Sequence, residues 1–114
     1  MKNFRNVVVW MGGCPCDAAF EKRIKDFFKG SNVKIFNHAN LFSALKVKRG
    51  TDLFVCMAPG NSTSTSLAAK FSSAPIKIGR CETRGKLFNI IVSGGEDRPL
   101  EVFGTMEDII SRMD

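Results

Sequence analysis

The sequence predicts an α/β protein, a three-layer sandwich with a mostly parallel sheet that ends in a C-terminal β-hairpin plus helix. Three observations lead there. Short β-branched runs alternate with amphipathic helical patterns, strand then helix, three times before a fourth strand. Two of the strand-like runs stop at glycine-containing loops that lead directly into a helix start. The last third breaks this rhythm with two short apolar runs on either side of a turn.

Taken in order, "NVVVWM" at 6–11 is continuous, β-branched and bounded by Gly12-Gly13, as a strand buried on both faces should be. In the following "CPCDAAFEKRIKDFFKG", Phe20, Ile24, Phe27 and Phe28 fall at i, i+4, i+7 and i+8 and share one helical face. Asp17 suits the N-cap of that helix and Gly30 its C′ position. Val33–Phe36 reads as a second strand. Residues 40–49 read as a second helix with Leu41, Phe42 and Leu45 inward, stopped by Gly50. Leu53–Met57 is a third buried strand, and Leu67, Ala68 and Phe71 mark a third helix. Pro75 and "IKI" open a fourth strand. Leu87–Val92 and "LEVF" then read as the two strands of the hairpin, with a turn over 94–97. Thr105 reads as the cap of the final helix, with Asp108 in a capping-box position.

A chain of 114 residues suggests one domain spanning 1–114, long enough to bury a real core. Ten Phe, one Trp and no Tyr point to an apolar interior with few polar handles. The net charge of +6 favours anionic partners, nucleotides or phosphates above all. The Lys and Arg residues are scattered, and without a basic-aromatic platform they argue against nucleic acid. No run is long enough to span a membrane and no signal-peptide core is visible, so the expectation is a cytoplasmic protein with reduced cysteines and no membrane partner.

The chemistry concentrates in two loops at strand carboxyl ends, where open parallel sheets bind ligands. One is "MGGCPCD" after the first strand; the other is "APGNSTSTS" after the third. Glycine lets a ligand approach the backbone closely. A helix start offers free N–H groups and a partial positive charge, and so receives phosphate. Hydroxyls from Ser62 to Ser66 can add donors. The plainer reading is that Ser62 or Thr63 caps the third helix and the rest is solvated.

This pairing of loops resembles the SLOG superfamily of Rossmann-like nucleotide-binding domains, which includes the DprA, LOG and YspA-like groups. In the YspA-like group a glycine pair after a strand leads into an "AD-A" helix start; here the stretch is "GGCPCDAAF", with Gly12, Gly13, Asp17 and Ala18. The family's Pro-Gly-Gly-x-Gly-Thr turn corresponds to "DLFVCMAPGNSTSTSLAAKF", and its following "IPVI" strand to "APIKI". The likeness covers about residues 6–79. It departs at Pro15 and Cys16 in the first loop, and at Asn61 and Ser62, where glycines are the rule. Residues 80–114 match no motif of the family. The resemblance implies binding of a nucleotide or nucleotide-derived signalling molecule, an ADP-ribose derivative or a cyclic nucleotide. It implies a sensor or sequestering protein, for instance one acting in phage–host conflict, and a homo-oligomer. The ligand-binding residues it marks are Gly12, Gly13, Cys14, Asp17, Pro59, Gly60, Asn61, Ser62, Thr63 and Ser64; beyond its reach, Arg80 and Arg84 stand just after the fourth strand, where they could reach a phosphate or equally be surface charges. This reading assigns no cofactor, no metal and no catalytic residue. The cytokinin-activating "PGG-GT…E" set is not reproduced, which favours binding over nucleotide cleavage, the main alternative.

Three rival readings come from the residues themselves. Cys14 and Cys16 stand before a helix start, where thiol pKa values fall, which raises thiol oxidoreductase chemistry. Their one-residue spacing and the parallel alternation fit thioredoxin-like motifs poorly. Zinc would need four ligands in close pairs, and Cys56, Cys81 and His38 are isolated. His38 could serve as an acid or base but reads more simply as a loop residue. Asp17 could hold a ribose hydroxyl, although helix capping is the simpler role.

Overall fold

The computed structural model describes residues 4–11, 17–37, 40–47, 49–57, 63–79, 89–92 and 99–112. Five strands, β1 (Asn6–Trp10), β2 (Asn32–Phe36), β3 (Leu53–Cys56), β4 (Ile76–Gly79) and β5 (Ile90–Ile91), form one sheet in the order β2-β1-β3-β4-β5. Every pairing is parallel. Among the described residues are also four helices: α1 (Ala18–Phe27), α2 (Leu41–Leu45), α3 (Thr63–Ser72) and α4 (Pro99–Ser111).

The period-two alternation of β1 sorts the core into two layers. Val7, Val9 and Met11 pack with Phe20, Ile24 and Phe28 of the α1 segment and with Val102, Phe103, Met106 and Ile110 of α4. Val8 and Trp10 point the other way, with Phe54 and Cys56, against Ala44, Val47, Ala68 and Ala69 of the α2 and α3 segments. Helices thus cover both faces. The first layer is aromatic, with Phe103 near Phe20 at 5.4 Å and Phe27 at 6.3 Å. Arg23 reaches from α1 across the Phe103 ring at 5.7 Å and pairs with Glu107 of α4. Gly30 and Gly50 close their turns at φ 92°, a left-handed conformation that only glycine adopts without strain.

Two expectations require correction. The C-terminal hairpin does not form: β5 pairs parallel to β4, and "LEVF" lies inside α4. Four residues, three of them apolar, are too few to separate a strand from a helix. The longer register decides, because Val102, Phe103, Met106 and Ile110 share one buried helical face. Pro99 begins the helix, where its missing N–H costs nothing. Thr105 is therefore not a cap; its hydroxyl donates to the Glu101 carbonyl one turn back. The turn expected at 94–97 lies outside the described residues.

The second correction concerns α2. Leu41, Phe42 and Leu45 do not face inward but are 56%, 79% and 69% exposed. Ala44 and Val47 are buried instead. The sheet face beneath already carries Trp10 and Phe54, so the covering helices supply small residues, Ala44, Ala68 and Ala69, and approach closely.

Candidate functional site

The strand order fixes where the chain leaves the sheet. β1 and β3 are neighbours in register from Val7↔Leu53 to Trp10↔Cys56. The ladder continues one step further, with the Met57 N–H donating to the Trp10 carbonyl at 2.7 Å and the Met11 N–H to the Phe36 carbonyl at 2.8 Å. Met11 and Met57 are thus fully buried at adjacent strand ends. From them the chain continues through residues 12–16 to α1, on one face, and through 58–62 to α3, on the other. Between β1 and β3 the connections diverge, which is the switch point where doubly wound sheets hold ligands.

Of the residues marked by sequence, Gly12, Gly13, Cys14, Pro59, Gly60, Asn61, Ser62 and Arg80 lie outside the described residues, as do Cys16, His38, Cys81 and Arg84. Asp17, Thr63 and Ser64 lie within them. Asp17 caps α1: its carboxylate accepts the Phe20 N–H at 2.8 Å, and its carbonyl accepts the Glu21 N–H. Thr63 is the first residue of α3, and Ser64 is half-buried in its first turn. Cys56 is buried in β3, as the strand pattern requires.

One hydroxyl of the Ser62–Ser66 run is turned inward. Thr65 is buried, and its Oγ1 accepts the indole N–H of buried Trp10 at 3.0 Å. This bond ties the first turn of α3 to the end of β1. Sequence reasoning counted Thr65 among hydroxyls available to a ligand. A signal was present: Thr65, Ala68, Ala69 and Ser72 fall at i, i+3, i+4 and i+7, a stripe of small residues, and all four are buried.

The two helix starts differ electrostatically. α1 carries Asp17 and Glu21 at its N-terminus, which offset the positive end of its dipole. α3 has no acidic residue in its first turn. Carboxylates therefore offset the positive end of α1, whereas the first turn of α3 carries none. A cavity of about 240 Å³ opens elsewhere, at the amino-terminal edge of the sheet, beside Asn6, Asn32, Lys34, Arg49 and Thr51. It lies at the other end of β1 from the two loops.

Compared with family models, curated proteins and solved structures, the chain finds no match in any of the three.

Proposed function

We propose that the chain binds an anionic nucleotide-like small molecule in the crevice between the carboxyl ends of β1 and β3, as a sensor or sequestering protein of SLOG-like, Rossmann-like type. The observation that carries this reading is the adjacency of Met11 and Met57, from which two glycine-containing loops depart toward helices on opposite faces. Phosphate is held mainly by backbone N–H groups of Gly12, Gly13, Gly60, Asn61, Ser62 and Thr63, and the first turn of α3 brings no carboxylate against it. Cys14, Pro59 and Ser64 line the crevice, Arg80 supplies a cation, and Asp17 keeps its capping role beside the ribose.

Mass spectrometry of small molecules released from the denatured protein is the first test, followed by thermal melting with mononucleotides, dinucleotides, ADP-ribose and cyclic nucleotides. A ligand at 100 times its Kd stabilises by about 2.7 kcal/mol, several degrees in a domain of this size. Gly60→Val abolishes that increment and leaves the ligand-free melting temperature in place. No released nucleotide and no stabilisation by any of these compounds refutes the reading. Recovery of cleaved product would move the assignment from binding to hydrolysis.

A further inference from the structure

The two helical layers differ in charge and in what they expose. Residues 38–75 contain a single carboxylate, Asp52, whose side chain accepts the backbone N–H groups of Arg5 and Asn6 at 2.8 and 3.0 Å. The cations of the α2 and α3 segments, Lys46, Arg49 and Lys70, are exposed, and among the described residues none of them pairs with a carboxylate. The α1/α4 layer is the opposite case, with Arg23–Glu107, Lys25–Glu21 and Arg112–Asp108 pairs.

Large apolar side chains stand among these unpaired cations. Leu41, Phe42 and Leu45 share the outer face of α2 at i, i+1 and i+4, and Phe71 of α3 is 37% exposed beside them. Between the helices lies a cleft of about 320 Å³ lined by Leu45, Val47, Arg49, Lys70, Phe71 and Ser73. Exposed apolar clusters rimmed by polar groups mark interaction sites.

The charge on this face selects the occupant. A second copy docked face to face would bring Lys46, Arg49 and Lys70 against their own counterparts. A flat bilayer would receive the protruding Leu41 and Phe42 but leave the cleft between Leu45 and Phe71 unfilled, whereas a peptide side chain fills it. We infer that the α2/α3 face docks an acidic amphipathic peptide segment of another protein, its apolar anchor seated between Leu45 and Phe71 and its carboxylates on Arg49, Lys70 and Lys46. This surface lies on the α2/α3 layer, apart from the loop residues that carry the proposed nucleotide site, and does not depend on that reading.

The test is selection of a random-peptide display library on the full chain, with counter-selection on the Phe42→Ser, Leu45→Ser variant. Binding of the selected synthetic peptides is then measured by fluorescence anisotropy. The expected peptides combine Leu, Ile or Phe at helical spacing with several Asp or Glu. Their affinity falls with salt, drops roughly tenfold in Lys70→Glu, and is lost in the Phe42→Ser, Leu45→Ser variant. Circular dichroism melting shows both variants folded, because every altered side chain is exposed. Three results overturn the inference: no enrichment over the counter-selected variant, peptides without acidic residues, or affinity unchanged in Lys70→Glu. Sedimentation of the chain with phosphatidylserine vesicles that is lost in the Phe42→Ser, Leu45→Ser variant assigns the face to membrane instead. A dimer abolished by Leu45→Ser assigns it to a second copy. Either outcome also overturns the peptide.

Discussion

Replacing Thr65 with Val tests whether the start of α3 is held by the tryptophan it touches. The two side chains have the same shape and similar helix propensity, so the change removes the hydroxyl and little else. Trp10 is fully buried and its indole N–H donates to Thr65 Oγ1 at 3.0 Å. Without that acceptor a buried donor is stranded, at a cost of about 1–3 kcal/mol. The Trp10→Phe variant carries its own cavity cost, but in that background the Thr65→Val step no longer strands the indole N–H and costs correspondingly less. The double-mutant cycle therefore yields a coupling of about 1–2 kcal/mol. Urea unfolding followed by far-ultraviolet circular dichroism measures all four proteins without relying on tryptophan emission. With an m value of about 2 kcal/mol/M, Thr65→Val shifts the midpoint by roughly 0.5–1.5 M. A shift below about 0.3 M, or the same shift in both backgrounds, would refute the argument that this bond anchors α3.

Three further outcomes follow from local geometry. Asp17→Ala removes the acceptor of the Phe20 N–H and lowers stability by about 1 kcal/mol, whereas Asp17→Asn keeps an N-cap oxygen and stays within about 0.3 kcal/mol in thermal melts; equal losses in both would assign the effect to charge. Gly104→Ala raises stability by about 0.5–1 kcal/mol through helix propensity, because the added Cβ meets only the mobile end of Arg23, at 3.3 Å; a loss in chemical denaturation would show the Arg23–Glu107 pair to be rigid. Ser73 follows α3 at φ 53°, so Ser73→Val lowers stability by about 1–2 kcal/mol while Ser73→Asn is neutral, and an equal effect of both would remove backbone conformation as the cause.

What the sequence made legible follows from how strongly each segment is constrained. β1 and β3 are buried on both faces, so their continuous apolar runs have one reading. α1 buries Phe20 and Ile24 at helical spacing, with Phe28 buried at its C-cap, beneath a polar face, and Asp17 marks its start. Neither the C-terminal strand nor the facing of α2 was legible, for different reasons. "LEVF" is too short to show either period, and only its continuation to Ile110 settles the matter. α2 is a single short turn whose apolar residues lie on the outer face, so the rule that apolar means inward points the wrong way. Two loops ending buried strands and opening helices were visible in the candidate site. The small-residue stripe marks Thr65 as inward, but its partner Trp10 lies 55 residues away along the chain, and no local pattern encodes that pairing.

The strand order also has a consequence for the order in which the molecule can assemble. β1 sits inside the sheet, yet its partners are remote: Asn6 meets Asn32, and Val7 meets Leu53. Among the described strands no tight hairpin starts the sheet, so loop closure precedes each of their pairings, which slows folding for a chain of this length. Until β3 has been synthesised, one edge of "NVVVW" lacks its native neighbour. That segment is β-branched, uncharged and free of proline, the composition of strands that pair with other chains. Arg5, just before it, places a repelling charge beside this segment during the interval.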